Sequence, residues 1–195
     1  MNTTSHIAVF ASGTGTTLQT LIDKQLQHGY HVALVVANRD CSALARAQHA
    51  HIPTLLSKDW TEIDQALTQH DVQLVVLAGF LAIIPEWICH KWEKRIINIH
   101  PSLLPKHGGK GMYGIRVQEA VLAARDTTAG CTVHYVSAEV DGGSIIAQAT
   151  VPVLPNDTPD TLSQRVQQEE KQLLPHTIAT ILHNTKQYYT TLYNA

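Results

Sequence analysis

Apolar residues in this chain come in short unbroken runs, separated by stretches whose apolar positions fall at helical spacing. The runs "HIAVFAS" (6–12), "HVALVVANR" (31–39), "IPTLLS" (52–57), "VQLVVLAGF" (72–80) and "RIINIH" (95–100) have strand length and little alternation. That pattern predicts strands buried on both faces, as in a parallel sheet. Between the first two, "GTGTTLQTLIDKQLQHG" places Leu18, Leu21, Ile22 and Leu26 at helical spacing, with Gly29 as a stop. "CSALARAQHAH" (41–51), "TEIDQALTQH" (61–70) and the turn "PEWICHKW" (85–92), opened by Pro85, supply the other helical segments. Strand and helix alternating over short connections predict an α/β fold, Rossmann-like, with a mostly parallel sheet and helices on both faces.

The last third reads differently. "YGIRVQEAVLAARD" (113–126) predicts a helix. "GCTVHYVS" (130–137) and "GSIIAQATVPV" (143–153) predict two strands joined through "AEVDGG", a C-terminal hairpin extension of the sheet. Asp141-Gly142-Gly143 is expected to supply the positive φ of that reversal. A long helix is expected from Asn156 to Asn184, capped by Asp157 or Thr158, with Pro159 in its first turn and Pro175 expected to bend or split it. The tail 186–195 reads as a last edge strand or a frayed end.

With 195 residues, 44% of them hydrophobic, the chain is expected to form a single domain over 1–195. Its half 1–95 would bind phosphate or nucleotide, and its half 96–195 would carry catalysis. The formal charge of -2 gives no general attraction to nucleic acid, so recognition of a phosphate must be local. Three scattered cysteines without a CxxC pair fit a reduced, cytoplasmic protein. The N-terminus lacks the basic region and apolar run of a signal peptide, and no stretch approaches the ~20 apolar residues of a membrane span. Twelve histidines are present, but without HExxH or a two-histidine, one-carboxylate pattern, so no metal is expected.

Three places have the residue types that chemistry needs. "SGTGTTL" (12–18) closes the first strand and opens the first helix. Gly13 and Gly15 permit a tight turn, the helix start offers N–H groups, and Thr14, Thr16 and Thr17 add hydroxyls. Leu18 stands where a dinucleotide fingerprint has its third glycine, and the Gly-Lys-Ser/Thr of a P-loop is missing, so the loop suits one phosphate. A plain capped turn is the other reading. Second, Asn98 and His100 share one face of a strand end, and Pro101 and Pro105 stiffen the loop beyond it. An amide and an imidazolium side by side can stabilise an oxyanion, whereas a polar strand end that caps its loop needs no chemistry. Third, Asp141 before two glycines reads as a turn residue first, and as a partner for His100 if the hairpin reaches back.

"NIHPSLLPKHGGKGMYG", with "SGTGTTL", "VVLAGF" and "VDGGSII", resembles the folate-dependent formyltransferases, and among them the phosphoribosylglycinamide formyltransferase (glycinamide ribonucleotide transformylase) family. The match runs in order from the first strand to "RVQQEE". The resemblance implies transfer of a formyl group from 10-formyltetrahydrofolate to the amine of glycinamide ribonucleotide, the third step of purine synthesis. Asn98, His100 and Asp141 match the family's catalytic trio. The loop Ser12, Gly13, Thr14, Gly15, Thr16, Thr17 matches its phosphate cradle, and Gln167 and Glu170 match contacts to the ribose and its surroundings. Lys106, with Lys110, would add positive charge. Leu81, Ala82, Ile83 and Ile84, with Glu139, Val140 and Asp141, match the folate pocket, while Leu81, Ile83 and Ile84 also suit a core. His134 sits beside the hairpin, where it would support Asp141 or stand as an ordinary strand residue. The chain departs from frequent family residues at Thr17, Ala82 and Lys171. Other formyl-folate enzymes, such as formyltetrahydrofolate deformylase and methionyl-tRNA formyltransferase, are the alternatives within the fold. A non-catalytic nucleotide-binding module, or a dehydrogenase using Asp40, is the alternative from another class. A monomer and a homodimer are equally compatible with the sequence.

Overall fold

The computed structural model describes residues 4–193, and over 186–193 it describes the helical backbone alone. In chain order the elements are β1 (Ser5–Ala11), α1 (Thr16–His28), β2 (Tyr30–Ala37), α2 (Ser42–His49), β3 (Thr54–Leu56), α3 (Trp60–Gln69), β4 (Leu74–Leu77), α4 (Glu86–Lys91), β5 (Ile96–His100), α5 (Ile115–Ala123), β6 (Thr128–Tyr135), β7 (Ile145–Pro152) and α6 (Pro159–Tyr193). The strands form one sheet in the order β3-β2-β1-β4-β5-β6-β7. Neighbours from β3 to β5 are parallel, and β6 and β7 are antiparallel, so the mostly parallel sheet and its hairpin extension are present as the apolar runs imply.

The runs lack alternation because both sheet faces are covered. Ile7, Val9 and Ala11 of β1 join one core with Leu18 and Leu21 of α1, Val121 of α5, and Leu162, Val166 and Leu174 of α6. Ala8 and Phe10 of the same strand join a second core with Ile63 and Leu67 of α3 and Ile88 and Cys89 of α4. Strand order reverses at β1, whose neighbours are β2 on one side and β4 on the other. The connections leaving β1 and β4 therefore part at their carboxyl ends and open a crevice there.

Several local expectations need correction. Leu26 is 93% exposed, because α1 turns it past the edge of the core at its last turn. The positive φ of the β6–β7 connection lies on Asp141 itself (56°), not on the two glycines after it. Those glycines serve close approach: a Cβ on Gly143 would collide with the Tyr135 carbonyl oxygen, and one on Gly142 would meet the Glu139 side chain. Thr158 caps α6, accepting from the Thr161 N–H at 3.3 Å. The helix runs unbroken past Pro175 to Tyr193, so the edge strand expected over 186–195 is replaced by helix; residues 194 and 195 lie outside the described ones.

Candidate active site

Three successive carbonyls of the glycine-rich loop are held on one side by donors from the β2–α2 region. Arg39 Nε donates to Ser12 O at 2.7 Å, Ala43 N to Gly13 O at 3.2 Å, and Arg46 Nε to Thr14 O at 2.8 Å. Gly15 sits at φ 73°, and a Cβ there would lie 2.8 Å from Ala43 Cα. With the carbonyls turned to α2, the N–H groups at the start of α1 are left for an anion. Ser12, buried, works behind this loop: its Oγ donates to Asn38 Oδ1 at 2.8 Å and accepts from Leu81 N at 3.0 Å, and its N–H donates to Gly79 O at 3.1 Å. It ties the loop after β1 to the loop after β4.

β5 ends at the same crevice. Asn98 and His100 face β6 partners His134 and Thr132 in antiparallel register. The His134 ring donates from Nδ1 to the Tyr135 carbonyl at 2.9 Å, which leaves Nε2 to accept from Asn98 Nδ2 at 3.1 Å. Burial holds the His134 pKa below its ordinary value, against the pull of the Tyr135 carbonyl and Asp141, so this ring is neutral and fixes which end of the Asn98 amide carries the donors. His100, only 4% exposed, donates from Nε2 to the His107 carbonyl at 2.9 Å. Its Nδ1 stands 3.5 Å from Asp141 Oδ2, and the same Asp141 oxygen accepts from Gly109 N at 2.9 Å. The hairpin connection does reach back, and Asp141 is both its turn residue and the partner of His100.

The first part of the loop after β5 is pinned at several carbonyls. Gln118 Nε2 donates to Pro101 O at 2.8 Å, Thr132 Oγ1 to Ser102 O at 2.7 Å, Gln148 Nε2 to Leu104 O at 3.0 Å and Ser102 Oγ to Lys106 O at 2.6 Å. This accounts for the stiffness that the two prolines suggest.

One cavity of about 700 Å³ gathers Gly13 to Thr17, Leu81 to Ile84, Asn98, His100, His134, Glu139, Val140, Asp141, Gln167 and Glu170. Asn98 and His100 line it together with the glycine-rich loop and an apolar rim from the connection between β4 and α4. Leu81 and Ile83 on that rim are 49% and 67% exposed, whereas Ile84 belongs to the core. Burial pushes the Glu170 carboxyl up to about 7, with the Lys171 charge opposing. Among the described residues no group of three or more His, Cys, Asp or Glu is arranged to hold a metal, and no helix is long and apolar enough to cross a membrane.

The model of the formyl transferase family matches residues 5–178. The chain is 38% identical to the phosphoribosylglycinamide formyltransferase of Haemophilus influenzae, over 87% of this chain and 83% of that protein. It is 39% identical to the trifunctional purine biosynthetic protein adenosine-3 of Drosophila melanogaster, over 92% of this chain. The chain spans only 14% of the length of that fly protein. The crystal structure of phosphoribosylglycinamide formyltransferase from Anaplasma phagocytophilum superposes with a TM-score of 0.86 at 37% identity, covering 93% of this chain and 89% of that one. The chain belongs to the formyl transferase family.

Two residues expected at the site of this formyl transferase stand elsewhere. Ser12 lies behind the glycine-rich loop rather than on its open face. Lys106 turns outward to Asp126 Oδ1 at 3.0 Å and does not line the cavity, while Lys110, four residues on, does. Sequence reasoning missed Arg39, Arg46 and Gln118. They act through backbone carbonyls, and nothing in one sequence marks which carbonyl a distant side chain will meet.

Proposed function

We propose that this formyl transferase moves a formyl group from 10-formyltetrahydrofolate to the amine of glycinamide ribonucleotide, in the cytoplasm, as one folded domain. The observation that carries the reading is the approach of Asp141 to His100 Nδ1, at 3.5 Å, beside Asn98 and in the cavity that also holds the glycine-rich loop. The ribonucleotide phosphate would sit on the N–H groups of Gly13 to Thr17, with Gln167 and Glu170 toward the ribose. The folate would lie at the apolar rim, on Leu81 to Ile84 and on Glu139 and Val140. The amine attacks the formyl carbon, and the oxygen that gains charge takes hydrogen bonds from the Asn98 amide and the His100 imidazolium. Asp141, facing Nδ1, pairs with the ring in the step where both its nitrogens carry protons, and relays the amine's proton to the departing folate nitrogen. No covalent enzyme intermediate is needed, and positioning supplies much of the rate.

The test is purified protein with glycinamide ribonucleotide and 10-formyltetrahydrofolate, followed by folate absorbance. Formyl transfer that requires the ribonucleotide is expected. Equal release of formate into water without it would assign a deformylase instead.

A further inference from the structure

The acceptor that fixes the catalytic imidazole belongs to a residue in a costly conformation. His107 has φ 54°, in the left-handed region that a non-glycine residue enters only when its surroundings hold it there. Ser102 Oγ reaches its carbonyl only at 3.4 Å, and the shorter hold is a side chain outside the cavity. His107 Nε2 donates to Asp126 Oδ2 at 2.8 Å, and the other oxygen of Asp126 takes Lys106 Nζ at 3.0 Å. Both side chains of the His107–Asp126 pair are largely covered, 15% and 18% exposed. His107 first and Lys106 second keep the Asp126 carboxyl below its ordinary pKa, so it stays an acceptor. From the carboxylate the connection runs through the His107 ring and backbone to its carbonyl, and from there to His100 Nε2 at 2.9 Å.

The geometry points to Asp126 and His107 as positioning residues for catalysis: Asp126, through His107, fixes His100 as the tautomer that carries its proton on Nε2 and turns Nδ1 to Asp141 and the reacting group. A backbone carbonyl can only accept, so while it stays in place the neutral ring has no choice of tautomer. When the tie to Asp126 is cut, His107 is free to leave the left-handed region. Its carbonyl then turns away from Nε2, and the ring loses both its orientation and its preference. The kinetic consequence rests on the formyl transfer proposed above, whereas the tautomer does not.

The experiment uses the full chain labelled with ¹⁵N in histidine, with the His100 ring signals assigned against His100→Asn. The unaltered protein near pH 8 is expected to show the Nε2–H form alone. Asp126→Ala should show a mixture of both forms and a kcat reduced roughly 10-fold, with both KM values within about twofold, as small misplacements of a catalytic group do. Asp126→Asn, whose amide oxygen still accepts from His107, should restore both readings. Should Asp126→Ala fail to fold, His107→Ala tests the same tie, since alanine keeps the cost of the left-handed angle but cannot reach Asp126. A single Nε2–H tautomer in the variant overturns the proposal whether or not kcat falls, because a merely structural role would leave the ring's proton where it was. A mixture without any fall in kcat overturns the catalytic part. Absence of formyl transfer in the unaltered protein overturns the proposed function and leaves the tautomer comparison standing as a test of the brace.

Discussion

Lys24 Nζ donates to the main-chain oxygen of Lys171 at 3.0 Å. In an uninterrupted helix that oxygen would accept from the N–H of residue 175, but residue 175 is proline and has none. Lys24 replaces the missing donor from α1 and also donates to Gln172 Oε1 at 2.7 Å. This explains how α6 passes Pro175 without breaking.

Removing that donor while keeping the stem tests the point. Lys24→Met should cost about 1 kcal/mol in urea unfolding, the ordinary net worth of one hydrogen bond, and leave the slope of the transition unchanged. An unchanged midpoint would show that water serves the Lys171 carbonyl equally well.

The paired donors at the end of β5 give the largest expected losses. Asn98→Ala and Asp141→Asn should each lower kcat by about 10²–10³, as removal of oxyanion donors and their supports does elsewhere, with thermal stability close to that of the unaltered protein. Steady-state kinetics with both substrates varied is the measurement, and a kcat within tenfold would remove these side chains from the reacting centre.

Arg46 is expected to act on one substrate only. Its donation to Thr14 O at 2.8 Å shapes the loop face proposed for the phosphate, so Arg46→Ala should raise the ribonucleotide KM roughly tenfold and leave kcat within about threefold. The folate KM serves as the internal comparison, and a parallel rise there would mean that the whole cavity had loosened.

Glu170 makes stability depend on pH. Its folded pKa of about 7 lies above the unfolded value of 4.5, so across that window the folded protein holds a proton that the unfolded chain releases. Stability therefore falls as pH rises through the window, and the penalty is fully present above it. Glu170→Gln should be more stable than the unaltered protein at pH 8, by up to about 3 kcal/mol, with the difference closing toward pH 4.5. Chemical denaturation at several pH values checks it, and a gap that does not change with pH would show that Glu170 is ionised in the folded state throughout.

The sheet was legible because burial on both faces leaves a mark that each strand carries by itself. Asn98 and His100 were legible for a similar reason: two polar side chains at positions i and i+2 of an apolar run share a face wherever that run folds. Asp141 was only half legible, since its meeting with His100 depends on how far a nine-residue connection (136–144) folds back, and spacing does not report that. Lys106 and Lys110 were indistinguishable in sequence. Which one enters the cavity is decided by Asp126, twenty residues from Lys106, which captures the first. Leu26 kept the helical spacing, but the core ended before the helix did.

The pinned loop after β5 has a consequence for the order in which the protein can be made. As the chain leaves a ribosome, Asn98 and His100 emerge well ahead of residues 118, 132 and 148, whose side chains hold the carbonyls of Pro101, Ser102 and Leu104. A nascent chain that ends at His107 already contains five of the seven strands, yet none of these three donors. Competence to react is thus withheld until the antiparallel edge has been synthesised and has closed on β5, so a truncated product can resemble the finished sheet and still be inert.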